Sequence, residues 1–378
     1  MPALSTPWLA SLGGHRSVAE VRRALAARYP AFTVDHLREL AIVGAADEGR
    51  RLLALCAERG IAVRGIVDDD PTKQAMRLDS YRVSPTSSLD ALDRSTPIVV
   101  ASHRVLRPVE RLRGMGFIHV APSALLQVLD PGRFPPHIFY NGLIEDLIER
   151  RGRYVELAAL LADDMSRRVL DAVIGFRLTL EAEVLRPIVE EELYAPRGLL
   201  TYADDEVYVD AGSYDGDTIR LFMDRVHGRF SRILAFEPDR ATFERLVANF
   251  RAEHRVEPFN LGLHRARAVL EFDNAGTRGS TLVERGGSEI PVVGLDEIAH
   301  GDRVSYIKMN IEGAEIDALR GAAQTIRRWR PKLAVAAYHR PADLWQVPAL
   351  IREIHPGYRL YLRQHDGGLI ESVVYALA

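Results

Sequence analysis

A single cysteine in 378 residues excludes an intrachain disulfide and any thiolate metal cluster. Cys56 falls in the apolar pattern Leu52, Leu53, Leu55, Cys56, which makes it buried filler rather than a nucleophile. Long hydrophobic runs are missing too. Segments such as Pro97–Ala101 fall far short of the roughly 20 apolar residues needed to cross a bilayer, so no membrane partner is expected. The first ten residues lack a basic stretch followed by an apolar one, the mark of a secretory signal, and a cytoplasmic location is expected. Neither sign of charge is in excess: the formal net charge is −3. That removes the electrostatic footprint of a nucleic-acid binder. What remains is the composition of a globular protein with a large core, 47% hydrophobic and 27% charged. The length suits two or three domains.

Strand–turn–helix units appear twice. Leu40–Val43 is an apolar run ending at Gly44, and a helical pattern follows from Asp47 to Arg59, stopped by Gly60. Ala62–Val67, Pro97–Ala101 and Phe117–Ala121 read as further strands. Residues 141–193 carry no strand signal. Tyr154, Leu157, Leu160, Leu161, Met165, Val169, Leu170, Val173, Ile174 and Leu178 recur at helical spacing there. This is a linker helix or pair of helices, and a surface through which the chain can form a homodimer. A second alternation starts at Glu206, with strands at Val207–Val209, Ile233–Phe236, Val256–Phe259, Val304–Met309 and Leu333–Ala337. A late hairpin of Tyr358–Leu362 and Ser372–Ala376 follows. The expected fold class is α/β, with two Rossmann-like parallel-sheet domains and antiparallel strands on the edge of the second. The expected boundaries are 1–34 for an N-terminal helical segment, 35–140 for the first domain, 141–195 for the linker and 196–378 for the second domain.

In open α/β sheets ligands bind beyond the carboxyl ends of the strands, and the polar clusters of the second domain fall there. Asp210-x-Gly212-x-x-x-Gly216 follows the first strand; Gly212 permits a tight turn and Gly216 a close ligand. The leading acid would repel a pyrophosphate, so a cationic or neutral ligand fits better. Glu237 ends the next strand and suits a ribose, because a carboxylate accepts two hydroxyl hydrogen bonds. Acid, glycine turn and second acid together match S-adenosyl-L-methionine, which has a sulfonium, an amino acid end and a ribose. A hydroxyl acceptor for its methyl group would need a base, and His339 at a strand end is the first choice. Lys308 is placed to orient the acceptor or to pair with Glu312. Glu315 suits the start of a helix, and Ser280 and Thr281 suit an acceptor pocket. No metal is expected.

Three runs carry a family resemblance: Val207–Thr218, Phe236–Asp239, and Ile307-Lys308-Met309-Asn310-Ile311-Glu312-Gly313-Ala314-Glu315 with Leu319-Arg320-Gly321-Ala322 after it. Residues 190–378 resemble the FkbM family of S-adenosylmethionine-dependent methyltransferases. The resemblance implies a class I methyltransferase fold and methyl transfer to a hydroxyl of a small molecule or sugar. The expected cofactor-binding residues are Asp210, Gly212, Ser213, Tyr214, Asp215, Gly216, Thr218, Glu237, Pro238 and Asn260, and the expected catalytic ones His339, Lys308, Asn310 and Glu312. The family usually has Asp where this chain has Asn310. An amide neither takes a proton nor binds a cation strongly, so a donor-binding scaffold without activity is the alternative reading.

The first domain gives less. Gly44-Ala45-Ala46-Asp47-Glu48-Gly49 has the dinucleotide spacing, with Ala46 in place of the middle glycine and Asp68 where a ribose contact belongs. The domain is expected to be non-catalytic, binding a nucleotide or nucleotide-sugar or serving only as structure; an NAD-dependent oxidoreductase is a rival reading, against which the Ala46 methyl stands where a pyrophosphate must approach. His103 is a lone candidate, more naturally a loop histidine.

Overall fold

A computed structural model of the chain describes residues 6–14, 17–272 and 288–378. The chain divides into two compact units. The first comprises residues 1–155, 167–189 and 366–370, the second residues 156–166, 190–365 and 371–378. The stretch 141–195, expected as a linker, forms helices Leu143–Glu149, Arg151–Leu160 and Asp164–Thr179 and is shared between the units. Among the described residues no helix is long and apolar enough to cross a membrane.

In the first unit the strands are β1 (Glu39–Val43), β2 (Ala62–Val67), β3 (Arg77–Leu78), β4 (Tyr81–Ser84), β5 (Ile98–Val100) and β6 (Val120–Pro122). They form one sheet in the order β3-β4-β2-β1-β5-β6, parallel except for the β3–β4 hairpin. That hairpin escapes the sequence reading because two- and four-residue strands around Asp79 and Ser80 are too short to show a period.

In the second unit the main sheet holds β7 (Val207–Ala211), β8 (Arg232–Phe236), β9 (Val256–Phe259), β13 (Tyr306–Met309), β14 (Lys332–Ala336), β15 (Arg359–Gln364) and β16 (Ser372–Leu377). The order is β15-β16-β14-β13-β7-β8-β9. Only β16 runs antiparallel to its neighbours, as the late hairpin predicted. A small second sheet is formed by β10 (Gly262–Leu263), β11 (Ala268–Phe272) and β12 (Ser288–Val293).

Alternation along β7 and β13 decides what is core and what is site. The register sets Tyr208 beside Tyr306 and Asp210 beside Lys308. Side chains at paired positions of parallel strands share a face. The two tyrosine rings therefore stack, 4.9 Å apart and 17° from parallel, over Phe222. Each such buried aromatic contributes about 1.5–3 kcal/mol by leaving water. The same face, one step nearer the carboxyl end, carries the charged pair. The helical stretch after β13 is broken at Ala322 into Glu315–Gly321 and Ala323–Trp329. Gly321 is required at the break: a Cβ there would lie 2.0 Å from the His264 carbonyl oxygen.

Candidate active site

The chain progresses from β7 outward to β9 and then returns to lay β13 on the other side of β7. The crevice beyond β7 and β13 is thus the switch point where open α/β sheets bind ligands. Asp210 is wholly buried at its floor, and Lys308 reaches it with an Nζ–Oδ1 distance of 2.8 Å. The ammonium also donates to the carbonyls of Gly212 (2.7 Å) and Ala211 (3.3 Å). An ammonium has three protons, and all three are used. The partner expected for Lys308 was Glu312 or an acceptor; the structure gives it Asp210 and makes it a strut beneath the turn after β7. The second Asp210 oxygen accepts from the Thr218 hydroxyl. Asp210 is therefore matched internally and is not the open counter-charge for a cationic ligand that its position suggested.

Both glycines of the turn are required by the protein itself. Gly212 has φ +78°, and a Cβ there would sit 2.0 Å from the Asn310 carbonyl oxygen. Gly216 has φ +90°, and a Cβ would meet the Phe250 ring at 2.0 Å. The second corrects the expectation that Gly216 admits a ligand: what approaches it is Phe250. Gly212→Ala combines a left-handed backbone with a clash against a main-chain atom. It should lower unfolding stability by about 2–4 kcal/mol, read as a shift in the urea midpoint.

The turn is tied to the end of β8. The Ser213 hydroxyl donates to the Asp210 carbonyl at 2.8 Å, Asp215 pairs with Arg220, and the Tyr214 amide donates to Glu237 Oε2 at 2.9 Å. Tyr214 takes φ +50°, so the segment bends to bring that amide round. The other Glu237 oxygen accepts the Asp239 amide at 2.9 Å, and Asp239 caps the helix Arg240–Asn249. Burial pushes the Glu237 carboxyl up to about 7, against the pull of the two amides. Asn260, expected to touch a cofactor, spends its Nδ2 on the carbonyls of Glu237 (3.0 Å) and Pro238 (2.9 Å). It holds the ends of β8 and β9 together, beneath the stacked rings of Phe236 and Phe259.

Across the crevice, Asn310 accepts from the Tyr338 hydroxyl at 3.1 Å. Glu312 follows in a left-handed conformation, φ +56°. Strain of this kind in a non-glycine residue costs roughly 1–3 kcal/mol and gathers at functional sites. His339 lies just beyond β14 with no exposed surface. Its Nδ1 lies 3.0 Å from Glu315 Oε1 and its Nε2 3.5 Å from Glu312 Oε2. Burial alone would lower its pKa, but Glu315 and Glu312 outweigh it and lift it to about 9. The imidazole expected as the proton acceptor thus has a carboxylate facing each ring nitrogen. Glu315 is at once the start of a helix, as predicted, and the partner of the Ile311 amide (2.8 Å). Burial and the neighbouring Glu315 carboxylate push Asp343 up to about 7. Burial likewise raises Glu312, against the pull of His339. Ligand-capable atoms of Glu315, His339 and Asp343 lie within 4.8 Å of one another.

Sequence reasoning missed Tyr338, Asp343 and Glu371, which also lies electrostatically close to Glu312. Only Asp343, an acid opening a helix, left a signal. Ser280 and Thr281 lie outside the described residues. In the first unit, Asp68 accepts the Ala45 amide (2.9 Å) and the Asp70 amide (2.9 Å) and pairs with Lys73 (3.2 Å). The carboxylate expected at a ribose is thus committed to closing its own turn. His103 Nδ1 lies 2.8 Å from the Tyr140 hydroxyl, so it is part of a packed aromatic cluster.

Residues 210–366 match the model of the methyltransferase FkbM domain. Among solved structures the chain is similar to methyltransferase FkbM from Methylobacillus flagellatus KT, 25% identical, with 99% of each chain covered and a TM-score of 0.74. It is also similar to Aeropyrum pernix fibrillarin, solved with natively bound S-adenosyl-L-methionine: 13% identical, 48% of this chain and 71% of that chain, TM-score 0.32. A search of curated protein sequences found no match. Sheet order and domain match agree: residues 210–366 are similar to the methyltransferase FkbM domain.

Proposed function

We propose that the crevice beyond β7, β8 and β13 binds S-adenosyl-L-methionine and transfers its methyl group to a hydroxyl of a small molecule or sugar. The observation that carries this reading is Glu237. Each of its oxygens is fixed by one backbone amide, from Tyr214 and Asp239. Each therefore keeps a lone pair in a set direction, which suits the two hydroxyls of a ribose. Asp210 is matched by Lys308, whereas among the described residues neither Glu237 nor Glu312 has a Lys or Arg within ion-pair distance.

The proton acceptor in this reading is Glu312 rather than His339. His339 is enclosed with a carboxylate at each ring nitrogen, whereas the Glu312 side chain keeps 25% of its surface open. Its backbone is strained, φ +56°, and its Oε2 faces His339 Nε2 at 3.5 Å, which suits a positioned base. Asn310 supports the acceptor side through Tyr338 and takes no proton. Holding donor and acceptor in line supplies about 7–11 kcal/mol of the barrier, and the rest falls to that base.

The test is transfer of label from methyl-tritiated S-adenosyl-L-methionine to a panel of hydroxylated small molecules and sugars. The expected result is acceptor-dependent S-adenosyl-L-homocysteine formation, with the turnover of Glu312→Gln reduced about 100-fold or more, within the 10²–10⁴ range of general-base contributions. Turnover of Glu312→Gln equal to wild type would remove the base assignment. Label found on nitrogen would replace the hydroxyl acceptor by an amine.

A further inference from the structure

Behind Glu312 lies a group that the methyl-transfer reading does not use. We propose that Glu315, His339 and Asp343 form a site for one divalent transition-metal ion of the manganese, iron or zinc class. This goes beyond the proposed reaction and does not depend on it.

The three side chains come from three separate elements. Glu315 opens the helix after β13, His339 lies in the segment just beyond β14, and Asp343 opens the helix Asp343–Ile354. All three are buried, and their ligand atoms lie within 4.8 Å of one another. The His339 Nδ1 to Glu315 Oε1 separation is 3.0 Å. That is about the edge between adjacent ligands around an ion with bonds of roughly 2.1 Å at right angles. Asp343 closes the set with a small side-chain movement.

Two further observations point to an occupant. Glu315 Oε2 and Glu312 Oε2 are both buried, and neither has a hydrogen-bond partner among the described residues. Carboxylate oxygens taken out of water are normally matched by donors or by a cation. Here two buried acids, Glu315 and Asp343, face a single imidazole. The second observation is the far side of that imidazole. His339 Nε2 faces Glu312 Oε2 at 3.5 Å. A metal-bound histidine usually gives its other ring N–H to a carboxylate, which fixes the tautomer and makes the metal-bound nitrogen a better ligand. The carboxylates are themselves aimed by main-chain donors: the Ile311 amide to Glu315 Oε1 and the Arg340 amide to Asp343 Oδ2, both at 2.8 Å. One nitrogen and two carboxylates favour borderline transition metals over magnesium or calcium, which prefer oxygen alone.

An ion there would hold His339 neutral at Nδ1 and oblige Nε2–H to donate to Glu312. It would thereby lock the ends of β13 and β14 together.

The test uses the full chain. Metal content is measured as purified, then the protein is stripped with a chelator and titrated with Mn²⁺, Zn²⁺ and, for its visible spectrum, Co²⁺. The expected result is one ion per chain, a rise in melting temperature on reloading, and cobalt bands that include a nitrogen ligand. Asp343→Asn keeps the shape and the oxygen that accepts the Arg340 amide. It should weaken binding at least 100-fold while the stripped protein stays folded; His339→Gln should do the same. Asp302→Asn, an exposed acid elsewhere, should change nothing. A chain that takes up no ion at millimolar Mn²⁺ or Zn²⁺, or that binds equally well with Asp343→Asn, overturns the site and leaves an ion-pair cage of protonated His339. Either outcome is independent of whether S-adenosyl-L-methionine binds.

Discussion

Lys308→Met should cost the second unit about 3–5 kcal/mol, the usual penalty for stranding one member of a buried ion pair. The ammonium and Asp210 are both out of water, 2.8 Å apart. Removing it leaves the carboxylate with the Thr218 hydroxyl and no cation, and leaves the carbonyls of Ala211 and Gly212 without their donor. The turn that positions Tyr214 against Glu237 hangs on those carbonyls, so stability and site geometry fall together. For a unit of this size the loss corresponds to a fall in melting temperature of roughly 6–20 °C, read as the calorimetric transition of the second unit. Adding Asp210→Asn should recover part of it, because the stranded charge is then gone. A single variant that melts within 2 °C of wild type, an order-of-magnitude bound well below that fall, would show that the pair does not hold the turn.

The second large effect is on the donor. Glu237→Ala removes both ribose acceptors together with the anchor for the Tyr214 and Asp239 amides. Two hydrogen bonds to a charged acceptor are worth about 1.5–3 kcal/mol each. The affinity for S-adenosyl-L-homocysteine should therefore fall about 100-fold or more, measured by calorimetry. The pH dependence has a definite sign. Burial raises the Glu237 carboxyl from its ordinary 4.5 to about 7. Its contribution to folding is full below 4.5 and is lost as pH rises through 7. Donor binding runs the other way, because only the ionised form accepts both hydroxyls. Between pH 6 and 8, the window around that value, the unliganded protein should soften while its donor affinity rises. Glu237→Gln should flatten both trends.

Much of the crevice was legible because period and punctuation agree there. Tyr208 and Asp210 alternate in β7, Tyr306 and Lys308 alternate in β13, and each strand ends in an acid or amide before a glycine. What the sequence could not supply was register. Nothing in the order of residues sets Lys308 opposite Asp210 rather than within reach of Glu312; that follows only from β7 and β13 lying side by side. The same limit explains Gly216, whose neighbour Phe250 follows a different helix, and Asn260, whose Nδ2 partners are the Glu237 and Pro238 carbonyls just beyond β8. His339 shows a third limit. A histidine at a strand end is a natural base until its surroundings are known, and here Glu312, Glu315 and Asp343 enclose it. The break at Gly321 and the β3–β4 hairpin were hidden for simpler reasons: a close main-chain approach and strands too short for a period.

The most direct examination of the whole account is a crystal structure grown with S-adenosyl-L-homocysteine. It should show the ribose hydroxyls on Glu237, the sulfur near the turn at Gly212, and open space beside Glu312 for an acceptor. Nucleoside density in the first unit, or none under saturating ligand in crystals of the folded protein, would contradict it.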